Sequence, residues 1–191
     1  MSKDLVKDHN KNGLEAANKG DFITAEKEFY KAFNLNPLNP GLLFNFLKVL
    51  HVQKKYTKIV DFVSKSSIET KKSWNPSILS IAGDSAIKLN NDNLALELFG
   101  TLNEKNPQNV EYSLPYSQVL LKVGNLNKAV EVIIKCLKSN SSNPSLLTNL
   151  AIIKSELGDY KEAEVLYLKV IKFTSTQFLG YYNYCLLYTS D

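Results

Sequence analysis

Apolar side chains recur along this chain at the spacing of an α-helix. Phe22, Ala25 and Phe29 are three and four residues apart, which places them on one helix face. The same spacing continues through segments 94–102 and 126–137. No segment alternates apolar and polar side chains as a half-buried strand does. The pattern therefore predicts an all-α protein built from short amphipathic helices.

The chain also repeats itself at a nearly constant interval. A short block that starts with a turn residue and ends on a small or aliphatic residue occurs five times, ending at Ala25, Ile59, Ala95, Ala129 and Ala163. The intervals between these ends are 34, 36, 34 and 34 residues. Asn-Pro pairs punctuate the intervals, at Asn36-Pro37, Asn39-Pro40, Asn75-Pro76, Asn106-Pro107 and Asn143-Pro144. Since proline fits the first turn of a helix but disfavours helix in the residue before it, each interval is predicted to hold two helices.

The repeated unit resembles the tetratricopeptide repeat (TPR). The first copy supplies Gly13, Gly20, Phe22, Ala25, Phe29, Ala32 and Pro37 in the order of that family's pattern, and the fifth supplies Ala151, Gly158, Tyr160, Ala163 and Tyr167. The resemblance implies a right-handed α-α superhelix of five helix pairs plus an extra C-terminal helix. It also implies one solenoid domain over residues 1–191, with repeats at about 6–39, 40–75, 76–109, 110–143 and 144–177 and a partial repeat at 178–191.

Three local features modify this expectation. Two extra residues lengthen the exit of the second repeat near Ser67–Trp74, where Trp74 either packs against the next helix or anchors a partner. Pro115 lies inside a predicted helix and should cause a late helix start or a kink near Tyr112–Pro115. The aromatic segment 178–191 either indicates a longer repeat protein or docks on a partner or second copy.

The charge of the chain is unevenly distributed and lacks arginine. All 23 basic residues are lysines, which is typical of an AT-rich genome, and the net charge is +4. Residues 48–72 hold seven lysines against Asp61 and Glu69. This lysine window is interpreted mainly as a solvated face. Because guanidinium groups are absent, nucleic-acid binding is not expected beyond salt-sensitive attraction to phosphates.

The sequence offers little support for catalysis. His9 and His51 lack the neighbouring ligands of a metal motif, and the chain has no glycine-rich phosphate loop or nucleophile motif, so no catalytic residue, metal or cofactor is expected. Cys136 and Cys185 are interpreted as packing residues. With no signal peptide and no long apolar run, a soluble cytoplasmic protein without membrane contact is expected.

Function is expected in the concave groove that the resemblance implies. The candidate peptide-binding residues are Phe44, Asn45, Lys48, Asp84, Gln118, Asn149, Ile152 and Asn183. Asn45, Asn149 and Asn183 hold the same place in three units, and an amide there could hold a peptide backbone through one donor and one acceptor. A clamp for the carboxylate of chaperone tails is not expected, because only Asn45 matches that subfamily's pattern.

The expected function is therefore a non-enzymatic scaffold whose groove binds a peptide or partner helix. The alternative is the N-terminal recognition domain of a larger enzyme, for example a glycosyl- or sulfotransferase, by analogy with fused repeats. A third interpretation, RNA binding through Lys54, Lys55 and Lys58, predicts strong salt dependence.

Overall fold

The structure is a computed structural model that describes residues 2–173. In this range the chain forms eleven α-helices and no strand. They are α1 (Ser2–Asn18), α2 (Phe22–Leu35), α3 (Pro40–Val52), α4 (Tyr56–Ser64), α5 (Ile68–Ser73), α6 (Pro76–Lys88), α7 (Asp92–Lys105), α8 (Val110–Lys122), α9 (Leu126–Leu137), α10 (Pro144–Glu156) and α11 (Tyr160–Phe173). The all-α prediction is confirmed, and α3, α6, α8 and α10 begin at the first residues of the predicted repeats.

Asparagine caps start these four helices. The Oδ1 atoms of Asn75 and Asn143 accept hydrogen bonds from backbone N–H groups three residues later, at 3.0 and 3.1 Å. Asn39 and Asn109 accept from the N–H two residues later, at 2.9 and 2.8 Å. Because an N-cap side chain satisfies a donor that the first helical turn leaves unpaired, the recurring asparagines set where each repeat begins.

The turns inside the five repeats share a left-handed residue. Gly20, Gly124 and Gly158 each have a φ of 78°, whereas Lys54 and Asn90 occupy the corresponding places with φ of 57° and 54°. Glycine enters this region without steric cost, and a lysine does not. The divergent second repeat therefore carries backbone strain at Lys54 that three of the other repeats avoid.

The residue that ends each repeated block is buried in every helix pair. Ala25, Ile59, Ala95, Ala129 and Ala163, the five residues that defined the repeat, are all fully buried. Close helix packing also depends on Gly13 in α1, since a Cβ atom placed there would lie 2.6 Å from the Phe29 ring of α2. The sequence interval of about 34 residues therefore corresponds to a spatial repeat of buried contacts.

The chain divides into two compact units, Met1–Leu98 and Phe99–Asp191, and the division falls within α7. In the first unit α1 packs on α2, α2 on α3, and both α3 and α4 on α6. In the second unit α8 packs on α9, α10 on α8 and α9, and α11 on α10. The expectation of a single domain over residues 1–191 remains a prediction.

The lengthened exit of the second repeat folds into the short helix α5. Trp74, which follows α5, is 7% exposed, and its ring stacks on Phe62 with centroids 6.4 Å apart. Trp74 is therefore a packing residue, but the ring it stacks on lies on α4, which precedes α5, and not on the next helix as expected. It has too little exposed surface to anchor a partner.

The predicted late start of the fourth repeat is wrong. Helix α8 begins at Val110, with Asn109 as its cap, and contains Pro115. The Ser113 hydroxyl holds this end of the helix by donating to the Pro107 carbonyl at 3.1 Å and accepting from the Asn103 amide at 2.8 Å. The helix thus begins before Pro115, although proline lacks one backbone N–H donor. The other expectation, a kink near Tyr112–Pro115, stays a prediction, and the predicted C-terminal helix lies outside the described residues.

Candidate functional site

The predicted groove residues fall in two separate units. Phe44, Asn45 and Lys48 lie on α3, and Asp84 lies on α6, all in the first unit. In the second unit Gln118 lies on α8, and Asn149 and Ile152 lie on α10. Asn183 lies outside the described residues.

A pocket of about 160 Å³ lies between α1, α2 and α3, and we call it the α1/α3 pocket. Its lining residues are Leu14, Ala17, Asn18, Phe22, Phe29, Asn45, Lys48, Val49 and Val52. Leu14 and Val52 are 44% and 49% exposed, so the apolar wall is open to a ligand. Two amides and one ammonium group complete the lining. This combination suits an apolar side chain that is attached to a polar backbone.

Asn45 joins two helices and retains free hydrogen-bonding groups. Its Nδ2 donates to Oδ1 of Asn10 on α1 at 2.9 Å. The other Nδ2 hydrogen and the Oδ1 atom of Asn45 have no partner among the described residues. An amide can thus be fixed by one bond while it offers a donor and an acceptor to a ligand.

Lys48 is an exposed cation at the same pocket. Its Nζ lies 5.7 Å from the centroid of the half-buried Phe44 ring, within range of a cation–π contact. Phe44 itself does not line the α1/α3 pocket. Phe44 is therefore connected to this pocket only through its contact with Lys48.

Asp84 is a half-buried carboxylate without a hydrogen bond among the described residues. Burial raises its pKa, and the charges of His51 and Lys88 offset that rise only in part. His51 lies on α3, with its ring 5.3 Å from the Tyr56 ring, and its buried Nε2 has no partner within the described part of the chain. The facing surfaces of α3 and α6 thus hold polar atoms whose hydrogen-bonding capacity is unused.

Asn149 is placed differently from Asn45. It is 4% exposed, and its Nδ2 donates to Oγ of the buried Ser117 on α8 at 2.5 Å. Ser117 Oγ in turn donates to the Leu114 carbonyl at 2.8 Å. A peptide backbone cannot reach an amide in this position without a rearrangement. Asn149 thus packs between α8 and α10, and its part in peptide binding stays a prediction.

The other two candidates of the second unit also differ from each other. Ile152 is partly buried and packs against the cluster of Ala151, Ala163 and Tyr167. Gln118 is exposed on α8. The second unit therefore contributes one accessible polar candidate, whereas the first unit contributes a lined pocket.

Part of the lysine window is neutralised. Lys55 and Lys58 form ion pairs with Glu26 at 2.5 and 3.0 Å. Lys71 is 7% exposed and pairs with Glu97 at 3.0 Å, so it does not belong to a solvated face. Burial tends to raise the pKa of Glu26, but hydrogen bonds from Lys55, Lys58 and Gln53 outweigh it and lower that pKa. The window thus helps to hold the first unit together.

The first unit has a second concave surface that was not predicted from the sequence, which we call the α2 depression. It has a volume of about 420 Å³ and is lined by Ile23, Glu26, Lys27, Tyr30, Phe46, Lys55 and Lys58. Ile23 and Tyr30 recur on one side of α2, next to the side that carries Phe22, Ala25 and Phe29. Two large apolar side chains outside the packed helix face were the signal available in the sequence.

The described residues contain few features of other kinds of site. Between residues 2 and 173, no three His, Cys, Asp or Glu side chains come together as a metal-binding group. Cys136 is a fully buried free thiol, 3.4 Å from the Gln108 carbonyl, in agreement with a packing role. Among the described helices, none has the length and apolarity needed to cross a membrane.

Comparison with known proteins finds similarity to one family. The family model of the tetratricopeptide repeat matches residues 144–176. The chain is 31% identical over 135 residues to the anaphase-promoting complex subunit CDC16 of Saccharomyces cerevisiae. That alignment covers 65% of this chain and 16% of CDC16, so the chain spans only about a sixth of its curated relative.

Two solved structures show the same fold. A tetratricopeptide repeat protein from Parabacteroides merdae superposes with a TM-score of 0.82 at 23% identity, covering 97% of this chain and 73% of that one. YrrB, described as a TPR protein with an unusual peptide-binding site, superposes with a TM-score of 0.76 at 15% identity, covering 96% and 98%. With four intervals of 34 or 36 residues, paired helices and these likenesses, the chain is similar to tetratricopeptide repeat proteins and has their all-α superhelical fold class.

Proposed function

We propose that this protein is an interaction scaffold that binds an extended peptide at the α1/α3 pocket. The fold supports a scaffold, since tetratricopeptide repeats present rigid helix faces to protein partners. The names of two similar proteins agree with this, because CDC16 is a subunit of a complex and YrrB has a peptide-binding site. The observation that carries the proposal is the open apolar wall of Leu14 and Val52 beside free amide groups.

The polar groups around the pocket fit a peptide backbone. Asn45 offers both a donor and an acceptor, and its bond to Asn10 fixes the orientation of the amide before a ligand arrives. Asn18 adds a second amide on the other side of the pocket, and Lys48 adds a cation. Because the bond to Asn10 already orders the Asn45 amide, binding would cost less side-chain entropy at that residue.

Asp84 extends the same proposal towards α6. A carboxylate that is half buried without a hydrogen bond is poised to accept one from a peptide N–H. The bond would lower the desolvation cost that now raises its pKa. Peptide binding is therefore expected to stabilise the charged form of Asp84.

The test is selection of binding peptides from a random display library with the full chain. Leu14→Asp places a charge in the open wall at a half-exposed position, so folding should be retained. Leu38→Asp makes the same change at a residue that is 93% exposed and outside the pocket. Selected peptides should carry an apolar anchor and should bind Leu14→Asp at least about tenfold more weakly, with Leu38→Asp unchanged. Peptides that bind both variants equally would refute the proposal.

A further inference from the structure

The α2 depression is a second surface of the first unit with its own chemistry. No residue that lines it also lines the α1/α3 pocket. Ile23 is 77% exposed and Tyr30 is half exposed, although both are large apolar side chains. The floor is Phe46, which is buried with its ring 5.3 Å from Tyr30 and 6.2 Å from Phe33. The volume of about 420 Å³ falls within the range of about 300–1,000 Å³ usual for ligand sites.

The border of the depression carries net positive charge. The lining of the depression includes three lysines, Lys27, Lys55 and Lys58, and one acidic residue, Glu26. Glu26 is already bound by Lys55 and Lys58, and Gln53 Nε2 donates to it at 2.9 Å. Lys27 forms no ion pair within the described part of the chain. Two positive charges therefore remain uncompensated around an apolar floor.

We propose that the α2 depression binds an acidic protein segment through one bulky apolar side chain. The apolar group would cover Ile23, Tyr30 and Phe46, and carboxylates on either side of it would meet the lysine ammonium groups. Such an arrangement has the general form of a protein interface, with an apolar centre and a charged border. Lysines act as point charges, so the carboxylates need no fixed bidentate geometry.

The same observations favour a protein segment over a nucleic acid. The Phe46 ring is only 9% exposed, so it offers little surface on which a base could stack. Ile23, the most exposed apolar residue of the surface, contributes no stacking either. An acidic segment with an aliphatic or aromatic anchor fits the apolar and lysine side chains of the lining, while Glu26 is already paired with Lys55 and Lys58.

The probe is a set of fluorescein-labelled peptides in which three acidic residues flank each side of one variable residue. Fluorescence anisotropy with the full chain should show that Leu or Phe at the variable position binds about tenfold more tightly than Ala. Replacement of the acidic residues by lysine should abolish binding, and added salt should weaken it. Equal binding of the Leu and Ala peptides, or no binding of any peptide, would overturn the proposal.

Two variants locate the binding on the protein. Ile23→Asp should lower affinity at least about tenfold, and because residue 23 lies in the first turn of α2, an acidic side chain there is compatible with the helix. Lys27→Glu should lower affinity several-fold and reduce the salt dependence. Leu38→Asp and Lys19→Glu are matched exposed controls, and they should bind like the unmodified chain.

Competitors separate the protein ligand from other anionic ligands. Single-stranded oligo(dT) and vesicles containing phosphatidylserine should displace the Leu peptide only at much higher charge concentration. Displacement by either at equal charge concentration, or loss of binding in Leu38→Asp to the same extent as in Ile23→Asp, would overturn the proposal.

Discussion

Replacement of Asn149 tests whether this amide is part of the core or of a ligand site. Its Nδ2 lies 2.5 Å from Ser117 Oγ, and both side chains are buried. Asn149→Ala removes the donor and leaves one acceptor site of the serine unfilled. Ser117→Ala instead leaves the buried amide without its partner. Both changes therefore create an unsatisfied polar group between α8 and α10.

The expected cost follows from burial. A buried polar group that loses its partner costs about 1–3 kcal/mol, so each single change should lower the free energy of unfolding by about 2 kcal/mol. The double variant leaves neither partner unpaired, so it should lose about 2–3 kcal/mol rather than the sum of the two. The coupling energy between the residues is then about 1–2 kcal/mol.

Urea unfolding of the full chain, followed by circular dichroism, measures these free energies. Gln118→Ala, an exposed amide one residue from Ser117, serves as the control and should change stability by less than about 0.5 kcal/mol. The packing role is refuted if Asn149→Ala changes the free energy of unfolding as little as Gln118→Ala does and if its effect simply adds to that of Ser117→Ala. The amide would then be available for a ligand, as the sequence pattern suggested.

Further predictions concern single residues of the first unit. Lys54→Gly should raise the free energy of unfolding by about 0.5–1 kcal/mol in urea unfolding, because φ is 57° there and glycine removes the strain. Gly13→Ala should lower it by about 1–2 kcal/mol, since the added Cβ would lie 2.6 Å from the Phe29 ring. The pKa of Glu26 is lowered below its ordinary value of 4.5, so its stabilisation is complete above that pH and is lost as pH falls through the lowered value. Glu26→Gln should remove this part of the acid transition in a pH series and cost about 1 kcal/mol at neutral pH. Burial raises the pKa of Asp84, so Asp84→Asn should stabilise the protein at neutral pH and lose this advantage as pH falls through the raised pKa.

A change in the free energy of unfolding with the opposite sign would contradict each of these predictions. Gly124→Ala is the control for the turn, and it should lose stability because its φ of 78° disfavours any side chain. A stabilising Gly13→Ala would show that helix propensity outweighs the contact with Phe29. A Glu26→Gln variant with an unchanged acid limb would show that Lys55, Lys58 and Gln53 do not lower the pKa of Glu26. A destabilising Asp84→Asn would show that burial does not raise the pKa of Asp84.

The repeat was predictable from sequence because its signals are local. The spacing of Ala25 and Ile59 gave the register, and both are fully buried as that register requires. Asparagine and proline mark helix starts through their own backbone chemistry, which explains why α3 and α10 begin at the predicted residues. Periodicity and capping act within a few residues, so a single sequence carries them.

The candidate site was less predictable because it depends on contacts between repeats. Asn45 and Asn149 occupy equivalent places, yet one lines an open pocket and the other is buried against a serine about one repeat away. That difference arises from the neighbouring helix, where Ser117 provides a small hydroxyl partner. The α2 depression was missed for a similar reason, since it combines residues from α2, α3 and α4 that are distant in sequence.

Photo-crosslinking tests the central claim most directly. A display-selected peptide would carry a photoreactive group at its apolar anchor, and crosslinked residues of the full chain would be mapped by mass spectrometry. The proposal predicts crosslinks to residues 14–18 of α1 and 45–52 of α3, and their loss in Leu14→Asp. Crosslinks confined to α10 and α11, or unchanged crosslinks in Leu14→Asp, would contradict peptide binding at the α1/α3 pocket.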